Sequence, residues 1–158
     1  MKRRVVVTGI GALTPIGNNV NDTWKGILNH QCGIDLIQSF DTSNMKVKVA
    51  GELKNFEATE YLDKKDVRKM DKFIQYGLIA AKEAIKDSKL EIDSINHDRF
   101  GVVVSSGIGG LGSIEENHQR GLKKGFDRVS PYFIPMTIVN LAAGQIAIAF
   151  KAQGLATC

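Results

Sequence analysis

Cysteine and histidine are both sparse: the 158 residues include two cysteines, Cys32 and Cys158, and three histidines, His30, His97 and His118. Two cysteines cannot make the dense disulfide framework of a small secreted domain. The two cysteines show no metal-ligand spacing, and the histidines are scattered along the chain. No metal site is expected, and the three histidines are read as solvated surface groups. Long apolar runs are missing as well, for no stretch approaches the roughly 18 residues of a membrane span. After Met1-Lys2-Arg3-Arg4 only Val5, Val6 and Val7 precede Thr8 and Gly9, too short a core for a secretory signal. A cytoplasmic protein without membrane association is the reading. Aromatic residues amount to 7% and are not interleaved with the basic ones, and no zinc or RNP signature occurs. Nucleic acid is therefore not the expected partner, although a net charge of +4 would suit an acidic one.

What is present has the make-up of a globular chain. Apolar residues are 43% and charged residues 24% of the sequence, and the length supports a hydrophobic core. Val5-Val6-Val7-Thr8 reads as a buried strand, followed by a loop from Gly9 to Gly17. A strand running into Gly9-Ile10-Gly11 invites a dinucleotide-binding reading, but the third position of that fingerprint is Thr14, with Pro15 behind it. No helix can open there with its amides toward a pyrophosphate, so nicotinamide and flavin are disfavoured.

Asn19, Asn21 and Asp22 are candidate caps for a helix through Trp24, Ile27 and Leu28, which ends at Cys32-Gly33. Val47 and Val49 alternate with polar neighbours as in a short half-buried strand. Leu62 to Lys89 reads as one helix, with Phe73, Ile74, Leu78, Ala81 and Ile85 at three- and four-residue steps. Phe100 to Ser106 is a near-continuous apolar strand, which predicts cover on both faces. Gly107 to Gly112 forms a glycine-rich turn into a polar helix from Ser113 to Lys124. Pro131 and Pro135 frame a rigid loop carrying Tyr132, Phe133 and Ile134, after which Thr137 caps an apolar helix ending at Phe150. Strand and helix alternate without linker or repeat, which predicts an α/β domain.

Several of these segments together resemble the condensing enzymes of fatty acid synthesis. The blocks are Arg3-Arg4-Val5-Val6-Val7-Thr8-Gly9-Ile10-Gly11 with Thr14-Pro15-Ile16-Gly17-Asn18, and Arg68-Lys69-Met70-Asp71-Lys72-Phe73-Ile74-Gln75-Tyr76. Ser106-Gly107-Ile108-Gly109-Gly110-Leu111, Glu115-Glu116-Asn117-His118 and Ser130-Pro131-Tyr132-Phe133-Ile134-Pro135 complete the match. Ile108 and the Glu115 to His118 segment resemble the type II class of β-ketoacyl-acyl carrier protein synthases.

The resemblance implies a thiolase-like layered α/β fold, of which residues 1–158 are the N-terminal part of the first βαβαβαββ half, and a homodimer. It implies decarboxylative condensation of an acyl thioester with malonyl-acyl carrier protein, with a cysteine nucleophile and no cofactor. Two histidines would stabilise the developing enolate. Ile108 matches a position that lines and gates the acyl pocket, and Phe133 one that closes it from the dimer partner; ordinary core packing would suit both residue types. Lys65, Arg68, Lys69, Lys123, Lys124 and Arg128 match the basic surface that meets acyl carrier protein, where charges chiefly speed association.

The end of the sequence departs from the pattern. Gly154-Leu155-Ala156-Thr157-Cys158 echoes the family's Thr-Ala-Cys nucleophile motif but lacks its Pro, most of its strand and the intervening Ala. Four residue steps from Gly154 reach at most about 14 Å, some half of what the family uses. A reactive thiolate needs a following helix N-terminus or a nearby cation, and Cys158 has neither in sequence. The histidines, the lysine and the glycine-rich loop of the family lie beyond this segment. Cys158 is thus the candidate nucleophile of a truncated motif, and the chain is expected to be inactive alone. The other reading is a non-catalytic piece that binds a carrier protein or partner subunit. Either way, strands patterned for burial predict exposed apolar surface and association.

Overall fold

The computed structural model describes residues 3–158. They form two units, one of residues up to Glu57 with Ala80–Lys89, the other of Ala58–Ile79 with Leu90–Cys158.

In the first unit Asn19, extended at φ −160° and ψ 170°, accepts a hydrogen bond from the Asp22 amide and so caps helix α1 (Val20–Leu28). Strands β1 (Asp35–Leu36) and β2 (Val49–Ala50) pair antiparallel. The Lys54 ammonium reaches Asp35 at 2.9 Å, and Glu52 accepts from the Gln38 amide at 2.7 Å. The loop from Gly9 is fixed against the last turns of helix α3 (Lys72–Ser88). A Cβ on Gly9 would lie 2.1 Å from the Ala84 carbonyl oxygen, and one on Gly11 would lie 1.9 Å from that of Ala80. Only glycine permits that approach, so this Gly-x-Gly serves helix packing. Carboxylates from the same turns take the loop amides. Asp87 accepts from Ile10 at 2.9 Å, and Glu83 accepts from Ala12 and from Val20, each at 2.9 Å.

Val5-Val6-Val7-Thr8 is not a strand. Val5, Val6 and Val7 are 95%, 66% and 81% exposed, and no strand among the described residues pairs with them. β-branched residues favour an extended backbone, but a strand exists only through a neighbour's amides and carbonyls.

The second unit begins with helix α2 (Lys64–Val67), capped by the Asp63 carboxylate, which accepts from the Lys65 amide at 2.7 Å. The single helix expected from 62 to 89 is broken between α2 and α3. The Asp71 carboxylate accepts from the Phe73 amide at 3.3 Å, and its carbonyl accepts from Ile74 and Gln75, opening a new helix. Gln75, buried, turns its amide back to the carbonyls of Val67 and Met70 at 3.1 and 2.8 Å. Those bonds satisfy groups that the break would otherwise orphan. Behind the break Ile74 and Leu78 enter the core, only 1% and 4% exposed.

Strand β3 (Val102–Val103) pairs in parallel with β4 (Ala156–Thr157), extended by the Val104 amide donating to the Thr157 carbonyl at 3.1 Å. Between them come helices α4 (Leu111–Lys124), α5 (Phe133–Thr137) and α6 (Asn140–Ala149). Helix α6 packs on both strands and buries Ala142, Ala143 and Ile146. The strand expected over Phe100–Ser106 is shorter and covered on one side: Val102 is buried, whereas Val103 is 71% exposed. The loop expected between Pro131 and Pro135 is partly helix α5. Thr137 does not cap α6; its hydroxyl donates to the Ile134 carbonyl at 3.3 Å.

Glu83→Ala leaves two loop amides without their acceptor and is expected to cost about 2 kcal/mol, measured by urea unfolding. The Asp35 carboxyl is held below its ordinary value of 3.8, first by the hydrogen bond from Lys54 and then by the Leu36 amide. A depressed folded value means that this carboxylate stabilises the β1–β2 hairpin above pH 3.8 and ceases to as pH falls through the folded value. An NMR titration of Asp35 is expected to show that low midpoint, and Lys54→Met is expected to raise it.

Candidate functional site

Helix α4 lacks a capping side chain of its own, because Gly110 stands at its N-cap. The cap comes from Asp71, whose Oδ2 accepts from the Ser113 amide at 3.1 Å and from the Ser113 hydroxyl at 2.6 Å. A carboxylate there also meets the positive end of the helix dipole. The preceding turn is held closely. Gly109 has φ +81°, and its amide donates to the Ser106 hydroxyl at 3.0 Å. A Cβ on Gly109 would lie 2.4 Å from the Thr137 carbonyl oxygen, the same oxygen that accepts from the Gly110 amide at 3.0 Å. Ile108 is presented at the tip of this turn, 67% exposed.

One and a half turns along α4 stands Asn117, only 3% exposed. Its amide donates to the Ser113 carbonyl at 2.9 Å, and its oxygen accepts from the Ser130 amide at 3.0 Å. The Ser130 hydroxyl accepts from the Tyr132 amide at 3.2 Å, which sets the chain entering α5 and Phe133. Between α4 and this segment lies an open cavity of about 350 Å³, lined by Ile114, Asn117, His118, Phe126, Val129 and Phe133. Phe126 reaches it because Gly121 leaves room: a Cβ there would stand 2.5 Å from the ring.

Of the sequence-predicted pocket residues, Phe133 is half-buried in the cavity wall, and Ile108 is outside the lining. Ile114, Phe126 and Val129 were not anticipated. The three- and four-residue steps from Ile114 through Asn117 and His118 to Gly121 do mark one helix face. His118, read as a solvated side chain, is exposed yet stands in the wall of this apolar hollow.

The six basic candidates are all exposed, and none joins an ion pair among the described residues. Lys65 lies on α2, Arg68 and Lys69 in the break after it, Lys123 and Lys124 in the last turn of α4. Arg128 ends the helical turn Phe126–Arg128. The Lys69 ammonium stands 5.7 Å over the Tyr132 ring, within cation–π range. Cys158 follows β4 directly and is exposed, with no hydrogen bond to its thiol among the described residues.

The helices and the parallel β3–β4 pair are consistent with the thiolase-like α/β fold of the ketosynthases. The profile of the β-ketoacyl synthase N-terminal domain matches residues 2–158, and the chain belongs to that family. It is 52% identical over 147 residues to 3-oxoacyl-[acyl-carrier-protein] synthase 2 of Vibrio cholerae, a match covering 93% of this chain and 36% of that protein. To the enzyme of the same description from Staphylococcus aureus it is 49% identical over 152 residues, covering 96% and 37%. The chain thus spans little more than a third of the length of these curated relatives. Among solved structures, the ishigamide ketosynthase/chain length factor superposes with a TM-score of 0.88 at 24% identity, over 99% of this chain and 40% of that one. A type II polyketide ketosynthase solved with its acyl-carrier protein gives 0.78 at 28% identity, over 98% and 42%.

Gly109→Ala would put a Cβ both in the left-handed region and against the Thr137 carbonyl. A loss of at least about 1 kcal/mol is expected in urea unfolding, from the backbone conformation alone.

Proposed function

We propose that this chain supplies the N-terminal part of a β-ketoacyl-acyl carrier protein synthase of the type II class, acting in fatty acid elongation. The observation that carries the reading is the 52% identity to 3-oxoacyl-[acyl-carrier-protein] synthase 2 across 93% of the chain. The reaction is condensation of an acyl thioester with malonyl-acyl carrier protein. A cysteine thiolate holds the acyl group as a thioester while loss of CO2 from the malonyl unit generates the attacking carbanion. Cys158 marks the position of that nucleophile. Its thiol is exposed; the chain by itself is inactive in this reading.

In the same reading, Phe133 and Ile108 border the acyl pocket. Lys65, Arg68, Lys69, Lys123, Lys124 and Arg128 receive acyl carrier protein, a partner that a solved ketosynthase with similar fold holds in its complex. The parent enzyme is a cytoplasmic homodimer; no helix among the described residues is long and apolar enough to cross a membrane. A second reading, a non-catalytic chain that binds the carrier protein or a partner subunit, is favoured by the exposed basic side chains, which join no ion pair among the described residues.

Intact mass after incubation with excess cerulenin-like electrophile or acyl-carrier thioester separates the two. No adduct on a chain folded by circular dichroism is expected, whereas a stoichiometric adduct on Cys158 would show an activated nucleophile and overturn the inactivity. Titration with acyl carrier protein is expected to show binding that weakens with salt. Replacing Lys65, Arg68 and Lys69 together by Gln is expected to weaken it about tenfold, since exposed pairs contribute up to about 1 kcal/mol each.

A further inference from the structure

The exposed basic side chains stand on two stretches that are far apart in sequence. Lys65, Arg68 and Lys69 belong to α2 and the break behind it, whereas Lys123, Lys124 and Arg128 belong to the end of α4 and the turn after it. A contact joins the two stretches: the Lys69 ammonium stands 5.7 Å over the Tyr132 ring. Tyr132 follows Arg128 by four residues, a span of at most about 14 Å. Both partners sit on fixed backbone. The Tyr132 amide donates to the Ser130 hydroxyl at 3.2 Å, and its carbonyl accepts from the Met136 amide at 2.9 Å. The Lys69 amide donates to the Asp66 carbonyl at 2.9 Å, and buried Gln75 holds the Val67 and Met70 carbonyls on either side of it. Lys69 joins no ion pair among the described residues. Lys54 and Lys151 are held differently, by Asp35 at 2.9 Å and by Asp93 at 2.7 Å, and each has its charge offset by the carboxylate that holds it.

We propose that Tyr132 is a positioning residue of the carrier-protein surface: its ring holds the Lys69 ammonium ready, so that the two basic stretches present one charged face to an acidic partner. The proposal rests on the reading that these lysines and arginines receive acyl carrier protein. A lysine side chain left free keeps its rotamers until a partner arrives, and ordering it then costs affinity. A ring beneath the ammonium removes part of that freedom beforehand. The attraction comes from the ring's quadrupole, so the lysine is held without its charge being cancelled. The ammonium has three donors, and those on the side away from the ring are left for a carboxylate. Tyr132 is 43% exposed, which keeps the pair within reach of a partner.

The test titrates the full chain into dye-labelled acyl carrier protein at low and at high salt, with fluorescence anisotropy as the readout. NMR spectra of the free chain, ¹³C-labelled at lysine, report the Lys69 side chain, whose ε-methylene is expected to shift upfield over the ring. Tyr132→Leu is expected to abolish that shift and to weaken binding about threefold, the scale of a cation–π contact at an exposed site. Because it removes no charge, it is expected to leave the salt dependence as in the wild type. Lys69→Gln is expected to weaken binding by at least as much and to flatten the salt dependence. The double variant is expected to bind as Lys69→Gln does, since the ring acts only through the ammonium. Tyr132→Phe keeps the ring and is expected to restore both the shift and the affinity. Should Tyr132→Leu not fold, Tyr132→Met takes its place in the cycle. Wild-type affinity in Tyr132→Leu, losses that multiply in the double variant, or a Lys69 signal without the upfield shift overturns the positioning role and leaves the docking reading standing. A wild-type chain that shows no salt-dependent binding overturns the docking reading, and the positioning role with it.

Discussion

The second unit depends on a carboxylate placed at the start of a helix that has no cap of its own. Gly109 and Gly110 lie too close to the 136 and 137 carbonyls for any side chain, so the residue that would normally cap α4 cannot be Ser, Thr, Asp or Asn. The first-turn amides still need an acceptor. Asp71 provides one from outside the helix, at the point where α2 and α3 are separated. The break in the expected long helix is thereby explained. A continuous helix through 71 would commit that residue to regular helical geometry, whereas the break leaves its carboxylate to serve the starts of two helices, through Phe73 and Ser113.

The first unit meets a similar constraint in another way. Its glycines also mark close backbone approach, Gly9 and Gly11 against the carbonyls of Ala84 and Ala80. There the loop amides are received by Glu83 and Asp87. At Gly9, Gly11, Gly109 and Gly110 backbone meets backbone, and carboxylates take the nearby amides of Ile10, Ala12 and Ser113. A phosphate-binding turn must leave its amides open to the ligand. Here the amides of Ile10 and Ala12 are already occupied, which agrees with the failed fingerprint spacing at Thr14.

Local signals were legible where they did not need a partner. Asn19 caps α1 as its side chain requires, and the apolar steps of Ile74 and Leu78 find the core as their periodicity demands. The elements misread are those fixed by distant groups. Val5 to Thr8 and Phe100 to Ser106 carry strand composition, but whether composition becomes a strand depends on neighbours that no local window contains. The break at 68–71 is stabilised by Gln75 reaching back to two carbonyls, and Gln alone gives no sign of that. In the candidate site, the family came from ordered blocks of residues, and the expectation for Phe133 came from one of them. Asp71 and Asn117 stood inside those same blocks without being singled out, because a buried polar network is visible only once its members are brought together.

The exposed apolar surface follows from the same dependence on neighbours. Val5, Val7, Val103, Ile148 and Leu155 are each about 70% exposed or more, whereas burying such a side chain is worth about 1.5–3 kcal/mol. Residues of strand composition left open in this way make contact with further apolar surface favourable, whether that surface belongs to the rest of a longer polypeptide or to another chain. The chain matches only 36% of the length of its Vibrio cholerae relative, so the fold it shares with whole ketosynthases is matched here without most of their surface. The polar circuit around α4, by contrast, is complete among the described residues. It needs no residue outside the second unit, whereas β3, with Val103 open, has its ladder partner on one side alone.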